Sequence, residues 1–121
     1  MTVGAPSEAL IDASLVEEIR RIERATGRND VLSGLVSTLE GNIVRFPEAF
    51  ADCLARGDTA AAVRAAHTLK GTCRQLGAQA LGELFAVIEA SAKAGRFDEA
   101  QAKYDEGVLL IAQSMEALKR A

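Results

Sequence analysis

The chain has no tryptophan, one tyrosine, four phenylalanines, two prolines, two cysteines and one histidine in 121 residues. Each scarcity removes a class of protein. With aromatics at 4%, no stacking platform for single-stranded nucleic acid can be assembled. A net charge of −3 also argues against a general nucleic-acid binder. One histidine and two separated cysteines cannot supply the four ligands of a structural zinc site. Cys53 and Cys73 do not form a Cys-x-x-Cys pair, and both fall in apolar helical stripes, so they are expected as reduced thiols. No run of about eighteen apolar residues is present, so no membrane span is expected. The segment Met1-Thr2-Val3-Gly4-Ala5-Pro6 has neither the basic residues nor the apolar stretch of a secretory signal, and a cytoplasmic location is expected.

What remains is rich in alanine, poor in proline and long enough for one domain with its own core. That composition favours an all-α protein. Residues 1–11 read as an N-terminal tail, loosely ordered or docked through Leu10 and Ile11, and residues 12–121 as a single domain.

Five helices are expected. Ser14 and Glu17 form a capping box for the first, which ends at Gly27 and buries Leu15, Ile19 and Ile22. Asp30 caps the second, whose stripe is Leu32, Leu35, Leu39, Ile43, Phe46, Phe50 and Cys53. Pro47 removes one backbone hydrogen bond there, but the pattern continues through it to about Ala55. Gly57 and Asp58 separate the second helix from the third, which buries Ala62, Ala66, Leu69, Cys73 and Leu76. After Gly77 the fourth helix turns Leu81, Leu84, Phe85 and Ile88 inward. Asp98 caps a fifth that runs to the C-terminus, with Phe97, Ala100, Tyr104, Val108, Ile111, Met115 and Leu118 as its stripe. Short glycine-centred connections make neighbours antiparallel, which predicts an up-down-up-down four-helix bundle with a shorter N-terminal capping helix.

The chemistry concentrates at His67. It follows Ala66 of the core stripe by one residue, or about 100° of helical turn, which puts it at the stripe's edge or outside it. Arg64, Lys70, Gly71 and Arg74 share its face, and no Asp or Glu occurs from Thr59 to Gly82. This cationic strip is either an ordinary solvated face or a site for a phosphoryl group and an acidic partner. A glycine inside a helix costs about 1 kcal/mol against alanine. Gly71 therefore either packs closely against another helix or clears space beside the imidazole. If the third and fourth helices fold back about Ala78, His67 and Glu89 lie equally far from the turn. Glu89 is then the carboxylate best placed to accept from one imidazole nitrogen, leaving the other as a nucleophile.

The segment Ala66-His67-Thr68-Leu69-Lys70-Gly71, with Leu76-Gly77-Ala78 and then Leu84 to Ile88-Glu89, resembles the histidine-containing phosphotransfer (HPt) family. The helix pattern extends the resemblance from about residue 14 to 119. A proline in the second helix is not foreign to that family. The resemblance implies that His67 accepts the phosphoryl group, Lys70 lies near its oxygens, Gly71 keeps the approach open and Glu89 holds the imidazole. It further implies a carrier in a multistep phosphorelay whose partners are receiver domains and a hybrid histidine kinase. Mg²⁺ would be held by the receiver alone, and this chain would need no cofactor of its own. No Gly-x-x-x-x-Gly-Lys-Ser/Thr loop is present, so self-phosphorylation is not expected. Arg64, Arg74 and an apolar rim of Leu15, Val16 and Ile19 are the expected docking residues of a monomer. A different class of reading is a helical module that regulates a kinase or response regulator by binding alone, with the histidine unused.

Overall fold

The structure, a computed structural model, describes residues 10–121, so residues 1–9 of the tail expected over residues 1–11 lie outside it. Leu10 and Ile11, at the tail's end, are buried against the core. The described residues form six α-helices and no strand: α1 (Ala13–Thr26), α2 (Val31–Ala55), α3 (Thr59–Gln75), α4 (Gln79–Lys93), α5 (Phe97–Glu106) and α6 (Val108–Arg120). The closest partnership is between α3 and α4. α2 packs on α3, α5 on α4, and α6 against α2, α4 and α5. The α3–α4 pair is antiparallel, since His67 meets Glu89 and Arg74 meets Glu83 across it.

All five aromatic residues meet in one cluster. The Phe46 ring lies 5.2 Å from Phe50, 5.5 Å edge-on to Phe85 and 5.7 Å from Tyr104. Phe97 reaches Phe50 at 6.3 Å. This cluster resolves the proline in α2. Pro47 has no N–H to give the carbonyl four residues earlier, which is that of Ile43. The Tyr104 hydroxyl donates to Ile43 O at 2.9 Å and takes the place of the missing amide. Helix α2 therefore passes through Pro47 unbroken.

Several local expectations are corrected. The N-cap of α1 is Asp12, whose carboxylate accepts from the Ser14 amide at 2.9 Å and the Ser14 hydroxyl at 2.6 Å. Ser14 thus lies inside the helix, because the carboxylate two residues earlier is the stronger acceptor. The inward face of α1 carries Val16 and the carboxylate of Glu23, while Ile22 is 54% exposed. Glu23 is turned inward because it bonds the next helix: its Oε2 accepts from the Leu32 amide at 2.9 Å and its Oε1 from Arg20 at 2.8 Å. The N-terminus of α2 is therefore capped from α1. Asp30 holds the N-cap position without a side-chain cap bond and pairs instead with Arg28. Val36, not Leu35, fills the stripe of α2.

The expected fifth helix is two. Gly107 separates α5 from α6, and Val108 just after it is exposed. A Cβ at Gly107 would lie 2.6 Å from a methyl of Leu84, so the bare backbone is what lets this corner seat on α4. The N-cap of α5 is Arg96, and Asp98 stands in the first turn. The cores of α3 and α4 largely match expectation, with Ala62, Ala66, Leu69, Cys73, Leu76, Leu81, Phe85 and Ile88 buried, while Leu84 is half-buried against the core. Gly77, between them, is required twice over. Its φ is +80°, and a Cβ there would lie 2.8 Å from the carbonyl oxygen of Asp12. That closeness reflects the Asp12 amide donating to Gly77 O at 2.6 Å, which fastens the start of α1 to the α3–α4 turn.

Both cysteines are free thiols. Cys73 is buried, and desolvation raises its pKa to about 12, which leaves it unreactive. Among the described residues, no helix is long and apolar enough to cross a membrane.

Candidate functional site

The site is built on the α3–α4 hairpin. Ala66 and Leu69 face the core and fix the rotation of α3, so His67, between them in sequence, is carried outward. Its side chain is 63% exposed. On α4, Phe85 and Ile88 are buried, and Glu89, beside Ile88, is held at the edge of that buried face with a side chain only 5% exposed. The antiparallel register brings the two together, with His67 Nδ1 2.9 Å from Glu89 Oε2.

Glu89 is the centre of a polar cluster. Lys70 Nζ lies 2.6 Å from its Oε1, and Lys93 Nζ lies 3.3 Å from its Oε2. Burial opposes the charge on this carboxyl. The hydrogen bonds of Lys70, His67 and Lys93 outweigh burial and hold its pKa down at about 2. At neutral pH Glu89 is therefore ionised and can only accept. The hydrogen bond between it and the ring must then be donated by Nδ1–H. In the neutral ring this leaves the lone pair on Nε2, which has no partner among the described residues.

Gly71 lies one turn beyond His67 on the same face. A Cβ placed on it would meet nothing within 4 Å. Among the described residues there is thus no packing reason for a glycine in mid-helix, and they leave the space beside the imidazole open. Lys70 is the cation the carboxylate engages most closely, with 21% of its side chain exposed. Arg64 is exposed and forms no ion pair with any described residue. Arg74 points across the hairpin, 3.2 Å from Glu83, and its aliphatic part runs over Gly82, so its charge is partly matched within the chain.

The expected apolar rim needs correction. Val16 is buried and serves the core, so it offers no surface to a partner. Leu15 and Ile19 are half-buried. Leu15 sits against the α3–α4 turn, near Arg74 and Ala80, some ten residues or about 15 Å of helical rise from His67. Lys93 was not anticipated. Its signal in the sequence is the Glu89–Lys93 spacing of four on α4, a spacing that joins opposite charges on a helix surface. Among the described residues, no three His, Cys, Asp or Glu side chains gather as metal ligands.

A family model described as "Hpt domain" matches residues 13–121. No curated protein and no solved structure matches the chain.

Proposed function

The chain belongs to the Hpt domain family, whose members carry phosphoryl groups in two-component signalling, and on that premise we propose that it is a carrier in a multistep phosphorelay. We propose further that α2, α3, α4 and the α5–α6 pair form an antiparallel up-down-up-down four-helix bundle, with α1 as its cap. The observation that carries the functional reading is the state of one ring. His67 presents an exposed Nε2, its Nδ1 proton is held by an ionised carboxylate, and the helix beside it is bare at Gly71.

In the proposed step, the Nε2 lone pair attacks the phosphorus of a receiver's phosphoaspartate. The N–P bond forms as the P–O bond to the aspartyl carboxylate breaks, and the bonding electrons leave on that carboxylate. No proton has to depart, because Nε2 carried none. The ring becomes cationic while Nδ1–H stays on Glu89, whose negative charge stabilises the imidazolium so formed. The same geometry serves the reverse direction, when a second receiver's aspartate takes the group from the phosphoramidate. Such transfer depends on positioning and charge neutralisation more than on protein acid–base chemistry. Lys70 lies beside the site, held to Glu89 in the resting protein, and Arg64, with no ion pair among the described residues, offers a positive charge to an acidic partner. Any Mg²⁺ would belong to the receiver. Receiver domains and a hybrid histidine kinase are the proposed partners, of a monomer acting in the cytoplasm.

Incubation with a phosphorylated receiver tests this. The carrier reading expects an acid-labile, alkali-stable label on this chain, and none on H67Q. Label that persists on H67Q, or a parent chain that takes none from any receiver in a broad panel, rejects it. In the second case a module that acts by binding alone would remain.

A further inference from the structure

The imidazole does not have its carboxylate oxygen to itself. Oε1 of Glu89 is taken by Lys70 at 2.6 Å, while Oε2 is shared between His67 Nδ1 at 2.9 Å and Lys93 Nζ at 3.3 Å. Lys70 closes off the far oxygen and anchors the carboxylate. Lys93 acts on the near one, the atom that faces the ring. An ionised carboxylate beside an imidazole favours a second proton on that ring. An imidazolium has no lone pair at Nε2 and cannot attack phosphorus. A cation on the same oxygen opposes this, because it weakens the pull on the ring's protons and repels a positive ring directly.

We propose that Lys93 is a positioning residue for phosphoryl transfer, holding Glu89 Oε2 in line with His67 Nδ1–H while keeping the ring neutral and Nε2 free. The inference rests on the reading of His67 as phosphoacceptor and adds a residue to it. Among the described residues, no competing carboxylate is placed to play Glu89's part. On α4, Glu83 pairs with Arg74 of α3. On α2, Glu40 pairs with Lys119, Asp52 with Arg56, and Arg45 donates to Asn42, while Glu48 is exposed without an ion pair among the described residues. On α1, Glu17 pairs with Arg24 and Glu23 with Arg20. On α5, Glu99 accepts from Ser91 and Arg96. The cations nearest the ring on its own helix are Arg64 and Lys70. The balance at the ring is therefore set by Glu89 against Lys70 and Lys93, with Arg64 in solvent.

The test compares the parent with K93M and K93R. Phosphorylation by phosphoramidate, a small-molecule donor, is followed from pH 5.5 to 9, and the ¹⁵N signals of the His67 ring are titrated in parallel. For K93M the acid limb of the phosphorylation profile should move up by about half a pH unit, a modest shift because Lys93 is well exposed. Its rate near pH 6.5 should fall about two- to threefold and meet the parent's at high pH. K93R should follow the parent. Superimposable profiles overturn the proposal, and so does a uniform loss at every pH or a K93R profile that follows K93M. If the parent takes no label, or H67Q takes it, the phosphoacceptor reading has failed instead. The ring titration still decides whether Lys93 governs the protonation of His67, and an unmoved midpoint in K93M overturns that too.

Discussion

Two helices of this protein carry a residue that weakens a helix, and the chain treats the two differently. In α2, Pro47 leaves the Ile43 carbonyl without its amide, and Tyr104 reaches over from α5 to replace it. In α3, Gly71 loosens the helix, and nothing among the described residues packs into the space it leaves. The first defect is mended from within by a hydroxyl at 2.9 Å and a cluster of aromatic rings. The second stays open, next to an exposed imidazole whose other nitrogen is already engaged. A backbone weakness that the fold compensates belongs to the architecture. One that the fold leaves uncompensated at the surface belongs to whatever approaches from outside.

That contrast can be broken most sharply at Gly71. G71Q should lower the rate of transfer from a phosphorylated receiver about tenfold or more, by displacing the approach of the donor. Its melting temperature should hold or rise, since a better helix former replaces glycine with no clash. Unchanged transfer would mean that the open space serves no partner. Second in size is the carboxylate behind the ring. E89A should slow transfer by less than the loss of His67 does. It should also cost about 1–3 kcal/mol in denaturant melts, because the partly buried Lys70 loses its partner.

The same carboxylate gives a prediction in pH. Its pKa is held at about 2 in the folded chain, below the ordinary 4.5. A depressed carboxyl stabilises the fold fully above its unfolded value, and that stabilisation is lost as the pH falls from about 4.5 toward 2. The parent should therefore shed roughly 2 kcal/mol more than E89Q over that window in thermal melts. An equal slope would show that the three donors do not act on Glu89 as described. The smallest effect is at the mended defect. Y104F should cost about 1 kcal/mol by leaving the Ile43 carbonyl unpaired, with phosphotransfer untouched. A loss of transfer in Y104F would erase the distinction between the two helices.

Much of this was legible in the sequence because it rests on local rules. The boundaries of α3 and α4 follow from Asp58, Gly77 and an unambiguous stripe, and the distance of Glu89 from the turn follows from helix geometry alone. Sequence and structure part where a distant or stronger partner decides. Nothing in the sequence turns Glu23 inward until α2 presents its amides, and Ser14 reads as a cap until Asp12 competes for the same bond. Gly107 reads as an interior residue of one long fifth helix until Leu84 is seen pressed against its backbone. Val16 and Ile22 exchange their expected places because α1 is oriented by Glu23. At the site, the motif pointed to His67, Lys70 and Gly71, but motif spacing gives no hint that both oxygens of Glu89 are shared or that Lys93 is one of the donors.

The attachment of α1 has a consequence for the order in which the molecule comes apart. Asp12 secures one end to the α3–α4 turn, and Glu23 secures the other to the first amides of α2. Both carboxyls sit below their usual pKa, Asp12 through the Ser14 hydroxyl and amide, and Glu23 through the Leu32 amide and then Arg20. Neutralising them in acid weakens the Gln79 bond to Asp12 and the Leu32 and Arg20 bonds to Glu23, while the Asp12 amide keeps Gly77 and the aromatic knot at the centre, which contains no carboxylate, is unaffected. Amide exchange on acidification should accordingly spread through α1 ahead of α3 and α4, so that this protein sheds its outer helix before it loosens its heart.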